Sequence, residues 1–293
     1  MLVWILVYIT RKISKLILLW PKKVRWFLGA AVGFLWWDVL RIRRMTVYKN
    51  IEKVFPEMTK DEKERFARSS LAFQGYSLIE FLTLPAINQK YFESEVVFSG
   101  LDHYYKAQAK NKGVLLLSLH MGNGDMAANM ISLKGIPLHL ISKKFKNQTV
   151  NEFWFEIRKK FGTSFIDPHG PKTPFEILAA LKKNEAVAFV IDQFMGRPYG
   201  VETTFFGQKT GTAYGLALFK IKTKAPVLPV YSYRDENLKT HVVFEPEVVL
   251  TDLNGDKETL IKLMTQRFND EIEKIILKHP LQWMWVHRRW KNF

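Results

Sequence analysis

Cysteine is absent from the 293 residues. That excludes disulfides, a thiolate nucleophile and any Cys-based metal site, and it suits a protein facing the cytoplasm. No G-x-G-x-x-G follows a strand pattern, and there is neither a P-loop nor a G-x-S-x-G nucleophile elbow. With no elbow serine and no cysteine, direct attack by a substrate hydroxyl is simpler chemistry than a covalent acyl-enzyme. Long apolar runs are missing too. Met1–Ile9 and Trp26–Trp37 are the apolar stretches near the start, and neither reaches the ~20 residues of a comfortable membrane span. A signal peptide fits poorly, because no charge precedes the first run. Internal repeats and low-complexity linkers are also lacking.

Acidic residues are few. Lys and Arg total 44 against 28 Asp and Glu, for a net charge of +16. Residues 1–45 carry nine Lys/Arg and one acid, half of that excess, together with five of the nine tryptophans. Trp mixed with basic and aliphatic residues suits a lipid headgroup region. Base-stacking or groove-reading elements are not recognisable, so nucleic acid is not the expected partner. The expectation is an interfacial membrane anchor over 1–45, with at most one marginal span, ahead of a domain over 46–293. The competing reading is a basic helix packed on its own domain.

From residue 46 onward, strand and helix patterns alternate, which predicts an α/β domain. Thr59 with Glu62 reads as a capping box opening a long helix to about Leu84. Strands are expected at Val96–Phe98, Val114–Leu117, Pro137–Ile141, Phe165–Asp167, Ala186–Ile191, Pro226–Tyr231 and Val242–Leu250. Between them, helices are expected at Leu101–Lys112, Asn151–Lys160, Pro174–Leu181, Thr212–Lys222 and Glu258–Leu277. Residues 194–211, FMGRPYGVETTFFGQKTG, read as a long loop, the kind that is functional or mobile.

The chemistry concentrates in GVLLLSLHMGNGD, Gly113 to Asp125. A buried strand runs into His120, Gly122–Gly124 make a turn, and Asp125 opens a helix. Ligands of open α/β sheets bind beyond the strand carboxyl ends. Five helical steps turn by about 500°, so His120 and Asp125 converge only if the histidine precedes the helix. Asp125 would then accept from one ring nitrogen and leave the other as a base. The plainer alternative is a strand-end histidine beside an acid that meets the helix dipole. A second buried strand ends at Asp192-Gln193, parallel in pattern to the first.

Together these features resemble the late (lauroyl/myristoyl) acyltransferases of lipid A biosynthesis and the related phosphatidylinositol mannoside acyltransferases, within the lysophospholipid acyltransferase superfamily. The ordered markers are the basic hydrophobic N-terminus, NIEKVFPE, HMGNGD as an H-x4-D motif, KFKN with Arg158, IDQ, FFG and the ending QWMWVHRRWK. The resemblance implies a central mixed, mainly parallel sheet flanked by helices, as in glycerolipid acyltransferases. It implies acyl transfer from acyl carrier protein or acyl-CoA to a lipid-linked sugar hydroxyl at the cytoplasmic face of the inner membrane. The thioester is a co-substrate, and no metal or other cofactor is implied.

By the same resemblance His120 is the general base and Asp125 its acidic partner. Glu202 matches the loop Glu that pairs with the histidine in the mannoside branch. Gly122, Asn123, Lys146, Arg158, Asp192, Gln193, Phe205, Phe206 and Gly207 are the expected substrate-binding residues. Phe194 stands where the family's second acid falls. A lipid A precursor is the expected acceptor; a phosphatidylinositol mannoside or glycerolipid acyltransferase is the enzymatic alternative, and a non-catalytic membrane-binding module of the same fold is the other. A hydrogen bond between His120 and an acid in an accessible crevice separates the enzyme from the non-catalytic module.

Overall fold

The longest element, a helix over Lys60–Thr83, starts where Thr59 and Glu62 satisfy each other's backbone N–H groups as a capping box. In the computed structural model, which describes residues 2–293, it is α4. Three helices precede it: α1 (Leu2–Leu19), α2 (Lys22–Phe34) and α3 (Arg44–Val54), with a π-helical turn at Leu35–Leu40. Then follow α5 (Gln89–Glu95), β1 (Val96–Ser99), α6 (Leu101–Gln108), β2 (Val114–Ser118), α7 (Gly124–Leu133), β3 (Leu138–Ile141), α8 (Gln148–Arg158) and β4 (Ser164–Ile166). The chain continues through α9 (Thr173–Lys182), β5 (Ala186–Val190), β6 (Gly200–Phe205), β7 (Gln208–Ala213), α10 (Gly215–Thr223), β8 (Val227–Arg234), β9 (Thr240–Phe244) and α11 (Lys257–Lys278).

Seven strands form one sheet in the order β1-β9-β8-β2-β5-β3-β4. All neighbours are parallel except β8 and β9. The expected mixed, mainly parallel sheet is therefore present. Alternation along the central strands splits the core in two. Leu115, Leu117, Val187 and Phe189 face α3, α4, α9, α10 and α11. Val114, Leu116, Ala186 and Ala188 face α6, α7 and the end of α8. Burial on both faces is why β2 and β5 read as unbroken apolar runs.

Two expectations need correction. Residues 194–211 are not one long loop: β6 and β7 form an antiparallel hairpin from Gly200↔Ala213 to Phe205↔Gln208. Its two-residue turn is Phe206-Gly207, both at positive φ, the geometry of a type I′ turn. Its buried face is mostly polar, with Thr203, Thr210 and Thr212 at 5% exposure or less beside the single aromatic Phe205, so hydrophobic alternation could not announce it. The last sheet strand, expected to reach Leu250, ends at Phe244.

The N-terminal segment does not stand apart from the domain. Pro21 separates α1 from α2, and α2 crosses α4 on glycine. A Cβ at Gly29 would lie 2.5 Å from Tyr76 Cα, one at Gly33 2.5 Å from Leu71 O, and one at Gly75 would meet Gly29 O. Only Gly lets the two backbones approach so closely. Trp37 is wholly buried and joins the main core, and Arg25, one of the nine basic residues, is buried as well. The opposite surface exposes Trp4, Leu16, Leu19 and Phe27 between Arg11, Lys12, Lys15 and Lys23. Among the described residues no helix is long and apolar enough to cross a membrane. Met1, the first residue of the expected anchor, lies outside the described residues.

Candidate active site

Two strand ends build the site. Past β2 the chain leaves the sheet at Leu119 and presents His120. Asn123 then caps α7, its side-chain oxygen accepting from Met126 N at 3.0 Å. Gly122 turns at φ +58°, where a Cβ would lie 2.6 Å from Ser232 O. Past β5 the chain presents Asp192 and Gln193.

His120 Nδ1 lies 2.8 Å from Asp192 Oδ1. Asp192 Oδ2 accepts from the His120 backbone N–H at 3.1 Å and from Trp283 Nε1 at 2.8 Å. The carboxylate is 2% exposed while the imidazole keeps 34% of its side-chain surface open. Burial alone would raise the Asp192 carboxyl. The His120 charge and the donors from His120 and Trp283 outweigh that and hold it below the usual carboxylate range. Burial alone would likewise lower His120, but the charge and hydrogen bond of Asp192, with a smaller contribution from Asp125, raise it above the ordinary histidine value. With the Nδ1 proton directed at Asp192, the Nε2 lone pair points the other way. Its one hydrogen-bond neighbour among the described residues is Gln193 Nε2, at 3.3 Å. An imidazole held by a buried carboxylate, with its second nitrogen free of any stronger partner, is equipped to take a proton from a hydroxyl.

Asp125 is not the hydrogen-bond partner of His120. In the first turn of α7 it accepts from Arg158 Nε at 2.6 Å. Arg158, 6% exposed at the end of α8, also donates from Nη1 to Ser142 Oγ at 2.9 Å. Its guanidinium lies 4.4 Å from the Phe165 ring centroid. The helix start points Asp125 toward this buried cation, whereas the parallel register points Asp192 toward the imidazole. Glu202 is not the partner either. It lies on β6 between Val201 and the inward-facing Thr203, so strand alternation turns it outward. It is 47% exposed in its side chain, 3.9 Å from Lys209.

The remaining expected site residues divide. Asn123 is 6% exposed and is used as a helix cap, its amide also donating to Ser77 O. Ser77 in turn donates to Gly122 O. Lys146 is exposed on the loop before α8. Phe205 is fully buried beneath the Arg289 guanidinium, whose centre is 4.5 Å from its ring centroid. Phe206 donates its N–H to Glu273, and Gly207 completes the turn. Among the described residues, no hydrogen bond or ring stacking joins Phe205, Phe206 or Gly207 to His120.

The C-terminal segment supplies what the two strand-end motifs do not. Met284 N donates to His120 O, and Gly122 N donates to Gln282 O, both at 3.0 Å. His287 Nε2 accepts from Phe194 N at 3.1 Å, and burial pushes that imidazole down to about 4, so it stays neutral. Arg289 is wholly buried and reaches Gly211 O and Thr212 Oγ1 at 2.6 Å, joining the hairpin to the chain end. Its partners are all uncharged, and burial lowers it to about 10. Three tryptophans within eight residues, Trp283, Trp285 and Trp290, are themselves a signal of burial, since so much aromatic surface is seldom left in water.

The sheet and its strand-end imidazole–carboxylate pair, with the imidazole part-exposed, define an α/β protein with a site suited to proton abstraction. The family model for bacterial lipid A biosynthesis acyltransferases matches residues 1–292, and the chain belongs to that family. It is 27% identical over 280 residues to the lipid A biosynthesis palmitoleoyltransferase of Escherichia coli K12, covering 93% of this chain and 86% of that protein. The lauroyltransferase of the same organism is 25% identical over 279 residues, 93% of this chain and 87% of that one. The phosphatidylinositol mannoside acyltransferase of Mycobacterium tuberculosis H37Rv is 26% identical over 226 residues, 76% of this chain and 69% of the relative.

Proposed function

We propose that the protein is an O-acyltransferase that moves a fatty acyl chain from an acyl thioester, of acyl carrier protein or coenzyme A, to a hydroxyl of a lipid-linked sugar. A lipid A precursor is the favoured acceptor, because the family model covers residues 1–292. The reading is carried by one observation, the 2.8 Å contact between His120 Nδ1 and the buried Asp192 carboxylate. It favours an enzyme over a membrane module that merely kept the fold.

In this reading the acceptor hydroxyl displaces the Gln193 amide from His120 Nε2 and gives up its proton there as its oxygen bonds to the thioester carbonyl carbon. Asp192 stabilises the imidazolium. The tetrahedral intermediate then expels the thiolate, which takes the proton back from His120. The negative carbonyl oxygen needs donors. Gly122 N–H is committed to Gln282 O, and Arg158 is committed to Asp125 and Ser142. The first N–H groups of α7, at Gly124 and Asp125, precede the helical ladder and are the better candidates. In this reading the enzyme works at the cytoplasmic face of the inner membrane, where the lipid acceptor is, and the exposed apolar and basic surface of α1 and α2 supports its association with lipid.

The test offers labelled acyl carrier protein or acyl-CoA, with a lipid A precursor or a mannosylated phosphatidylinositol as acceptor. Transfer to the lipid A precursor, reduced ~10²–10⁴-fold by His120→Ala, is expected. Wild-type turnover in a folded His120→Ala protein would overturn the reading.

A further inference from the structure

The chain's last residues pass directly beneath the His120–Asp192 pair. The Met121–Trp283 bridge is antiparallel, and Met284 N–H donates to His120 O. These contacts fix the backbone of Trp283 against the segment that carries the histidine. The Trp283 ring is 1% exposed. It is held edge-on by Trp285 at 4.8 Å between centroids and flanked by Phe205 at 5.8 Å. So packed, its Nε1–H has one direction, and 2.8 Å along it lies Asp192 Oδ2. At 2% exposure Asp192 has no bulk water to replace a lost donor.

Packing alone does not require this bond. Trp285, in the same cluster and fully buried, spends its Nε1–H on a backbone carbonyl, Pro280 O at 2.8 Å. Of these two indoles, Trp283 is the one that aims its donor at the carboxylate holding the imidazole, on the oxygen that also accepts the His120 backbone N–H. A donor on Oδ2 locks the Asp192 rotamer, so that Oδ1 faces Nδ1. It also draws negative charge away from the oxygen that grips the His120 proton.

We propose that Trp283 is a positioning residue of the acyl-transfer reaction: its indole N–H orients Asp192 and limits how tightly that carboxylate holds a protonated His120. The inference rests on His120 acting as the base. Without the indole donor, Asp192 becomes the stronger acceptor and the imidazolium persists to higher pH. Because the base works only when neutral, the acid limb of the rate profile must then move upward.

The decisive variant replaces the Trp283 indole with benzothiophene, which keeps the ring shape and removes the N–H. Trp283→Phe accompanies it, and Trp285→Phe serves as a control of equal volume loss. The benzothiophene protein is expected to shift the acid limb of kcat/KM upward by roughly half to one pH unit. Its kcat should fall roughly 3–30-fold with little change in KM, as orientation loosens. Trp285→Phe should lose stability without moving the limb. The His120 ring titration, followed by NMR with 15N-labelled histidine and assigned by its loss in His120→Ala, should shift in the same direction whether or not substrate is turned over. An unmoved limb and an unmoved titration in the folded benzothiophene protein overturn the role of Trp283. An equal shift in Trp285→Phe does the same. Full turnover in His120→Ala overturns instead the base assignment on which the proposal stands.

Discussion

His120 and Asp192 each lie two residues beyond a register pair, Ser118 and Val190, of adjacent parallel strands. Neighbouring strands in that register bring equivalent positions past their ends side by side, and the two side chains meet at 2.8 Å. Pairing is thus set by the sheet, not by the local turn that separates His120 from Asp125. The acid five residues on is drawn off by Arg158 and acts on the imidazole only through space.

This division predicts different outcomes for the two acids. Asp192→Asn is expected to lower kcat/KM by ~10²–10⁴-fold, because the amide neither stabilises the imidazolium nor fixes the productive tautomer. The wild-type acid limb should fall above 6.5, the ordinary histidine value, since His120 is raised. In Asp192→Asn the residual limb should move below it, since the attraction that raised the imidazole is gone. Asp125→Asn should cost less rate but more stability, because it leaves the buried Arg158 without its carboxylate. Glu202→Ala should leave turnover near wild type. If Asp125→Asn proves the more damaging to rate in a folded protein, the assignment of partners fails.

The sequence shows His120 at a strand end, the second strand ending at Asp192, and the α/β alternation. All three follow from unbroken apolar runs that a doubly covered sheet demands. What the sequence does not show is strand order. Only the adjacency of β2 and β5 distinguishes Asp192 from Asp125 as the partner, and adjacency is a tertiary property. The β6–β7 hairpin stayed hidden for a different reason. Its inward face is mainly threonine satisfied by Asn269 and Arg289, and its turn has Phe206 at a position where Asn or Asp would have announced positive φ. The C-terminal segment was recognisable as a pattern, but its contacts with His120 and Asp192 come from a chain end folding back on a site more than ninety residues upstream.

A second prediction concerns the clamp between α4 and β8. Glu80 and Arg234 form a bidentate pair with side chains 1% and 2% exposed, Arg234 Nε donating to Glu80 Oε1 at 2.8 Å. Gln282 then ties the Arg234 backbone to the C-terminal segment through two hydrogen bonds of 2.8 Å. Glu80→Gln leaves a buried guanidinium uncompensated and is expected to cost ~3–5 kcal/mol in chemical denaturation. Replacing both, as Glu80→Leu with Arg234→Met, should recover much of that loss, because the desolvation cost of the charges disappears with them. A loss for the single variant as small as that of an ordinary surface change would show the pair to be dispensable.

The last prediction concerns the membrane surface. Removing residues 1–45 is a poor test, because the deletion strips α2 from α4 and takes Trp37 out of the core; the truncated protein should aggregate whatever its affinity for lipid. The exposed face offers a cleaner one. Trp4, Leu19 and Phe27 are 65%, 79% and 72% exposed, so Trp4→Ser, Leu19→Ser and Phe27→Ser together leave the charge and the packing unchanged. Burying one such side chain contributes about 1.5–3 kcal/mol, and even partial insertion of three exceeds the ~1.4 kcal/mol of a tenfold change. Sedimentation with anionic vesicles should therefore weaken by at least about tenfold in the triple variant, with the thermal transition unmoved. High salt should release little of the wild-type protein, since screening weakens the basic residues but not the apolar ones. Complete release by salt, with the triple variant binding as wild type does, would mean that charge alone holds the protein to the bilayer and that the apolar face belongs to something else.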